Sequence, residues 1–185
     1  DKIAVVTGAG RGIGRAVALA YAKMGADVVC VSRTEENSAK VAAEVEAIGR
    51  RAWAVAVDVS DTAAVDAAAK GILESTGRVD ILVNNAFIVT DHLTSGKPFW
   101  EVPLSDWDDM IDVGTRSAYA ASAMAAQRFM VPAGRGLIVN ISSSGAQEYA
   151  WHVVYGVGKC ALDRVTKDTA HELGSHGVSV VSLWP

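Results

Sequence analysis

The sequence is poor in the features that mark several classes of protein. Of its 185 residues only two are cysteine and 6% are aromatic, and no apolar run approaches the ~20 residues of a membrane span. The formal net charge is −4 and there is no basic run, which argues against nucleic acid as a partner. The isolated Cys30 and Cys160 predict buried thiols in a reducing compartment. We therefore expect a cytoplasmic protein with no membrane span and no signal peptide.

Half of the residues are apolar, and six short apolar runs alternate with helical patterns. Continuous apolar strands that alternate with helices are typical of a parallel sheet covered on both faces. This pattern predicts a single α/β domain over residues 1–185. The predicted strands are Ile3–Val6, Asp27–Val31, Ala52–Val57, Val79–Val83, Gly136–Ile141 and Val178–Leu183.

A glycine-rich turn, from Gly8 to Gly14, lies directly between the first strand and its helix. Glycines at this place let the backbone turn tightly and approach a pyrophosphate at the helix N-terminus. The position of the turn after the first strand of an alternating chain makes it a much stronger signal than the glycines alone. The turn is therefore predicted to bind the phosphates of a nucleotide.

A second motif combines the serines from Ser142 to Ser144 with Tyr155 and Lys159. Residues four apart on a helix share one face, so Tyr155 and Lys159 point into the same space beside the serines. A phenol that passes a proton, a cation that makes the phenol more acidic, and a hydroxyl that holds an oxygen suit hydride-transfer chemistry. Taken alone, Tyr-x-x-x-Lys also fits an ordinary amphipathic helix.

Four motifs in this order resemble the short-chain dehydrogenase/reductase family: Gly8-x-x-x-Gly12-x-Gly14, Asn84-Asn85-Ala86, Ser142-Ser143 and Tyr155-x-x-x-Lys159. The resemblance covers the whole chain and is greatest to the branch of dehydrogenase/reductase member one. It implies a Rossmann-type, doubly wound parallel sheet with strand order 3-2-1-4-5-6. It also implies that a C-terminal lid and a last strand, which related proteins carry after the residue matching Pro185, are absent here.

The resemblance implies a role for each matching residue. Tyr155 is the expected proton donor and acceptor, Lys159 the partner that makes it acidic, and Ser143 the hydroxyl that holds the substrate oxygen, with Ser142 as the alternative. The residues implied to bind the cofactor are Gly8, Arg11, Gly12, Ile13, Gly14, Ser32, Arg33, Asp58, Val59, Asn85, Ala86, Tyr155, Lys159 and Pro185.

The end of the second strand predicts the choice of cofactor. An acidic residue there selects NAD, whereas an Arg accommodates the 2′-phosphate of NADP. Here the strand ends in Ser32 and Arg33 with no carboxylate before Glu35, and Arg11 lies in the glycine-rich turn. NADP(H) is the predicted cofactor and NAD(H) the alternative.

Two positions depart from the family pattern. The residue after Asn84-Asn85-Ala86 is usually Gly and is Phe87 here, and a helix Asn that completes the proton relay is replaced by Gly114. We expect an altered relay in an NADP-dependent oxidoreductase that acts on a small-molecule carbonyl or alcohol. The alternative function is a low-activity NADP-binding protein that serves as a redox-sensing or assembly module.

The remaining expectations concern assembly, metal and the surroundings of the site. An alanine-rich helix from Ser105, its expected N-cap, to Met130 offers small residues for close packing of helices. The resemblance implies that two chains pair through this helix and the one that bears Tyr155, so a homodimer or homotetramer is expected. No metal site is expected, because His171 and His176 are five residues apart and do not share a helix face. For His152 a surface position is favoured over a place in the substrate cleft. The loop aromatics suit an apolar substrate pocket and ordinary packing equally well: Phe87, Phe99, Trp100, Tyr149 and Trp151.

Overall fold

A computed structural model of the chain describes residues 2–185. Its centre is a six-stranded, wholly parallel sheet with the order β3-β2-β1-β4-β5-β6. This order and the alternation of strands and helices confirm the predicted fold class. The strands are β1 Ile3–Thr7, β2 Asp27–Ser32, β3 Ala52–Ala56, β4 Ile81–Asn84, β5 Gly136–Ile141 and β6 Val178–Leu183.

Helices cover both faces of the sheet. They are α1 Gly12–Lys23, α2 Glu35–Ala47, α3 Thr62–Thr76, α4 Leu104–Ile111, α5 Ser117–Ala125, α6 Val131–Ala133 and α7 Val153–Gly174. Successive strand residues point to opposite faces, so Val5 of β1 belongs to the core under α3, α5 and α7, and its neighbour Val6 belongs to the core under α1 and α2. Alternate residues of β1 therefore contribute to two hydrophobic cores, one on each face of the sheet.

The long helix after β4 differs from its prediction. It begins at Leu104 with Pro103 as the N-cap residue, and Ser105 lies inside the first turn without a capping role. Pro103 has an extended backbone with a ψ of 145°, and the helix starts immediately after it. Two π-helical segments, Asp112–Arg116 and Ala126–Met130, also interrupt the α-helical geometry.

The two cysteines do not share one environment. Cys30 lies fully buried in β2, and burial raises the pKa of its thiol to about 12. Cys160 is exposed on α7, so the prediction of two buried thiols is wrong for Cys160, whose position faces outward because Tyr155 and Lys159 occupy the inner face of the same helix. Within residues 2–185 no helix has the length and apolar character needed to cross a membrane.

Candidate active site

The predicted site residues gather at one edge of the sheet, because all six strands are parallel and their carboxyl ends face the same way. The turn after β1, the ends of β2 and β3, the loop after β4 and the serines after β5 all lie along this edge. Pro185 follows β6 at the same edge and is exposed. The topology thus places at one edge residues that the sequence spreads over nearly its whole length.

The glycine turn is built by close backbone packing. A Cβ atom on Gly14 would lie 2.2 Å from the carbonyl oxygen of Gly8, and a Cβ on Gly8 would lie 2.8 Å from Nδ2 of Asn85. Both distances exclude a side chain. Gly12 has a positive φ of 55° and open space around its Cβ position. Arg11, the N-cap residue of α1, makes no side-chain cap, so the first amides of the helix remain available to an anion.

The loop after β4 supports this turn from behind. The hydroxyl of Thr7 accepts hydrogen bonds from the backbone N–H groups of Asn85 and Ala86, at 3.0 and 3.1 Å. The Asn85 amide donates in turn to the carbonyl oxygens of Thr7 and Gly8, at 3.0 and 3.2 Å. The predicted cofactor residues Asn85 and Ala86 therefore hold the shape of the turn.

At the ends of β2 and β3 the structure brings Ser32, Arg33 and Asp58 to one rim. Ser32 is buried and donates to the carbonyl oxygen of Thr34 at 2.6 Å, whereas Arg33 is exposed. Hydrogen bonds from Ser60, helped by the charge of Arg33, hold the pKa of Asp58 below its usual value. The Arg33 guanidinium is thus near enough to Asp58 to act on it, and it is presented to solvent at this edge.

The hydroxyls of Tyr155 and Ser143 meet at the end of β5. Tyr155 donates to Oγ of Ser143 at 2.8 Å, and the backbone N–H of Gly145 donates to the same oxygen at 3.2 Å. Ser142 points elsewhere: it is buried, and its hydroxyl donates to the carbonyl oxygen of Lys159 at 3.4 Å. Of the two candidate serines, the geometry favours Ser143.

Lys159 is a buried cation one turn beyond Tyr155. Its Nζ donates to the carbonyl oxygen of Ile141 at 2.9 Å and lies 5.7 Å from the centroid of the Tyr155 ring. Burial lowers the pKa of Lys159 to about 8, against the opposing effect of Asp163. The side chain therefore titrates near neutral pH beside the Tyr155–Ser143 pair.

Aromatic rings enclose the Tyr155 side chain. The ring of Phe87 meets it edge-on, with centroids 5.7 Å apart, and Trp151 lies 4.9 Å away on another side. Trp151 has a φ of 58°, the one positive φ outside glycine in residues 2–185. Gly145 lets the phenol approach the serine loop, since a Cβ there would lie 2.7 Å from Cε1 of Tyr155. Phe99, Trp100 and Tyr149 are exposed and make no part of this enclosure.

Sequence reasoning missed two supports of the site. His152 is buried and caps α7, with Nδ1 accepting from the backbone N–H of Val154 at 3.3 Å, so the prediction of a surface histidine is wrong. Asn140 links β4 to α7: it accepts from Asn84 at 2.8 Å and donates to Thr166 at 2.8 Å. An Asn inside an apolar strand was the available signal for that buried network.

The residues at this edge fit a dinucleotide. The glycine turn offers helix amides without a side-chain cap and open space at Gly12. Arg33, at the end of β2, offers an exposed guanidinium for a phosphate. Tyr155 and Lys159 lie on α7, which follows β5. Within residues 2–185 no group of three or more His, Cys, Asp or Glu side chains is arranged to hold a metal ion.

Comparison with known proteins gives consistent results. A family model described as short chain dehydrogenase matches residues 2–185. Dehydrogenase/reductase SDR family member 1 is 46% identical in Mus musculus and 47% identical in Homo sapiens, over 187 residues that cover 100% of this chain. The chain spans 59% of the length of these two relatives.

A solved structure shows the same architecture. The crystal structure of a metagenomic short-chain oxidoreductase in complex with NADP superposes with a TM-score of 0.91 at 37% sequence identity. The match covers 100% of this chain and 81% of that one. The likeness confirms the predicted resemblance in both sequence and fold.

Proposed function

The chain belongs to the short-chain dehydrogenase/reductase family, and on that premise we propose that it is an NADP-dependent oxidoreductase acting on a carbonyl or alcohol. The observation that carries the proposal is the hydrogen bond of 2.8 Å between the hydroxyls of Tyr155 and Ser143, formed beside the buried Lys159. This arrangement stands at the same sheet edge as the glycine turn. The glycine turn follows β1 and the serines follow β5, so both lie at the carboxyl ends of strands in one parallel sheet.

The proposed roles follow from the hydrogen bonds. When bound, a nicotinamide would supply or accept the hydride. Ser143 Oγ already accepts from Tyr155 and from the N–H of Gly145, so its own proton is free for a substrate oxygen. Tyr155 gives its proton to that oxygen during reduction and takes it back during oxidation. Lys159 holds positive charge beside the phenol and stabilises the phenolate form.

The proposed preference for NADP(H) is supported by the rim at the ends of β2 and β3. Arg33 is exposed there, and its planar guanidinium suits the bidentate recognition of a phosphate. Ser32 keeps its hydroxyl engaged with Thr34, which leaves Arg33 as the main selecting group. Asp58 is exposed on the same rim, where the adenine is proposed to lie, and its pKa is held low mainly by Ser60.

The decisive experiment measures NADPH oxidation with a panel of ketones, aldehydes and quinones. We expect turnover of at least one class, and an apolar substrate would suit the rings of Phe87 and Trp151 near Tyr155. Tyr155→Phe is the matched control: it keeps the ring and should lower turnover by about 10²- to 10⁴-fold while NADPH still binds. A Tyr155→Phe variant that retains most of the turnover would contradict the role of Tyr155.

Gly114 favours a second candidate function. It lies in the π-helical segment where the family carries its relay Asn, and it offers no side chain to a relay. The alternative is an NADP-binding protein of low turnover that serves as a redox-sensing or assembly module. Tight NADPH binding without turnover of any substrate in the panel would support this alternative.

We also propose a homodimer or homotetramer. Tyr119 and Ala123 of α5 are exposed, and Val153, Val157 and Cys160 line an outward face of α7. Small and apolar side chains on two neighbouring helices allow close packing against a second copy. Light scattering at micromolar concentration should give twice or four times the mass of the chain, and a monomeric mass would contradict the proposal.

A further inference from the structure

The ring of Phe87 lies against both ionisable groups of the candidate site. Its centroid is 4.7 Å from Nζ of Lys159, and its edge-on contact with Tyr155 has an interplanar angle of 83°. A cation within about 6 Å of a ring centroid is attracted by the negative face of the ring. Phe87 is therefore an electrostatic neighbour of Lys159 as well as a packing residue.

Gly114 provides the space for this ring. A Cβ atom at Gly114 would lie 3.4 Å from Cδ2 and 3.6 Å from Cε2 of Phe87, which is ordinary van der Waals contact. One added carbon would fill the remaining gap, and a longer side chain would have to displace the ring. The Phe87 ring therefore occupies space that a side chain longer than alanine at position 114 would need.

The enclosure leaves little room for water near the ammonium ion. A cavity of about 10 Å³ remains among these groups, which is at the lower limit of the space that one water molecule needs. Its lining is Phe87, Met110, Gly114, Thr115, Val154, Tyr155, Gly158 and Lys159. The neighbours of the Lys159 Nζ are the carbonyl oxygen of Ile141 and the face of Phe87.

We propose that Phe87 is a positioning residue for Lys159. Seated beside Gly114, its ring holds the ammonium ion between the ring face and the Ile141 carbonyl, and occupies space that a longer side chain at position 114 would need. The catalytic consequence rests on the proposed function, because Lys159 takes part in the reaction only there.

Few other groups face Lys159. Asp163 on α7 is the charged residue that acts on it, and Tyr155 on the same helix is the neighbouring titratable group. From the elements packed against it, β5 contributes the Ile141 carbonyl and the π-helical segment contributes Gly114 and Thr115, which are uncharged. A change at Phe87 should therefore be read directly in the titration of Lys159.

The test titrates Lys159 in the free 185-residue chain by NMR with ¹³Cε-labelled lysine. Lys159 is buried and the other six lysines are exposed, so its signal should stand apart. Phe87→Leu removes the ring but keeps apolar bulk, and should lower the Lys159 pKa by about one unit. Phe87→Tyr keeps the ring face and should leave the pKa near the wild-type value. Phe87→Met serves as a second ring-free variant if Phe87→Leu does not fold.

The steric half of the proposal is tested by exchanging both residues. Gly114→Asn alone should displace Phe87 and lower the melting temperature by several degrees. The double variant Phe87→Gly with Gly114→Asn should melt above the Gly114→Asn variant, because the Asn then occupies the space of the ring. The same Lys159 pKa in Phe87→Leu and Phe87→Tyr would overturn the proposal. So would additive effects of Phe87→Gly and Gly114→Asn on the melting temperature.

Turnover is measured separately, so that the two proposals can fail independently. With an active wild type, Phe87→Leu should lower kcat about tenfold and move its pH profile, whereas KM should change little. A shifted Lys159 titration in a chain without turnover would uphold the role of Phe87 and refute the enzyme. Normal turnover of Phe87→Leu with an unshifted Lys159 titration would uphold the enzyme and refute the role of Phe87.

Discussion

The glycine turn and the Tyr155 side of α7 stand at the same sheet edge, but different parts of the chain hold them in shape. In the turn, Gly8 and Gly14 pack backbone against backbone, and a Cβ on Gly14 would lie 2.2 Å from a carbonyl oxygen. Around Tyr155 the contacts are made by side chains: Phe87, Trp151 and the Ser143 hydroxyl. One site is built by leaving side chains out, and the other by fitting them together.

The difference explains where this chain follows its family and where it departs from it. A backbone-built turn has one solution, since no residue other than glycine fits at such distances. A side-chain-built enclosure has several, because one ring can fill the space that another side chain leaves. Both departures, Phe87 and Gly114, lie beside Tyr155 and Lys159, where they line one small cavity.

The largest effect is expected from placing a side chain in the turn. Gly14→Ala forces a methyl group onto the Gly8 carbonyl, and should cost at least about 3 kcal/mol of folding free energy and abolish NADPH binding. Gly71→Ala in α3 is the control: its Cβ meets no atom within 4 Å, and it should gain about 0.5–1 kcal/mol. Urea unfolding and NADPH fluorescence measure both variants. Equal unfolding midpoints for Gly14→Ala and wild type would show that the turn is not backbone-limited.

The second effect is a dependence of stability on pH, which arises from Lys159 beside Tyr155 and not from the glycine turn. Lys159 has a pKa of about 8 in the folded chain and 10.5 as the reference for the unfolded one, so between these values the unfolded state binds more protons. Stability of the wild type relative to Lys159→Met should therefore rise with pH in this window, by about 2–3 kcal/mol at most. Above about pH 9 the buried Cys30 lowers the stability of both proteins, because its thiol ionises more readily in the unfolded chain. This contribution cancels in the difference between the two proteins. Urea unfolding at pH 7 to 10.5 checks the slope, and a flat difference would mean that Lys159 is well solvated.

A third prediction concerns the rim beyond the turn. Arg33→Ala should weaken NADPH binding about tenfold, or about 1.4 kcal/mol, and leave NADH binding unchanged, because only NADPH carries the 2′-phosphate. Paired fluorescence titrations of the two cofactors give the measurement. Arg164→Ala, which removes an exposed arginine paired with Asp168 on α7, should alter neither affinity. Equal losses for NADPH and NADH would remove Arg33 from the selecting role.

The smallest effect tests backbone strain at Trp151, beside Tyr155. Trp151 holds a φ of 58°, which asparagine tolerates better than tryptophan does. Trp151→Asn should raise stability by about 1 kcal/mol and lower turnover, because Tyr155 loses its tilted ring contact. Trp151→Phe, which keeps both a ring and the strain, should change stability little. Thermal unfolding and NADPH oxidation report the two effects, and a less stable Trp151→Asn variant would contradict the strain argument.

The strands were the most predictable part of the fold. The predicted runs at 136–141 and 178–183 coincide with β5 and β6. β5 is largely buried and reads as an apolar run, whereas β6 alternates buried and exposed residues over its first four positions. The π-helical segment at 112–116 contains Gly114, one of the two departures from the family pattern.

The candidate site divides in the same way. The spacing of Tyr155 and Lys159 placed them on one helix face, and the structure keeps them there. His152 was misjudged, because a histidine one turn before Tyr155 reads as a surface residue unless the cap of α7 and the packing around it are known. The contact of Phe87 with Lys159 joins residues 72 positions apart, and no local pattern contains it.

By itself, the sequence determined the parallel sheet, the glycine turn and the order of the motifs. These depend on short-range rules: the period of apolar residues, the conformations open to glycine and the four-residue repeat of a helix face. Only the tertiary structure decided which serine meets Tyr155, that Lys159 is buried against the Ile141 carbonyl, and that Phe87 fills the space at Gly114. Those outcomes follow from distances between segments far apart in the chain, which are set when the strands assemble into one sheet.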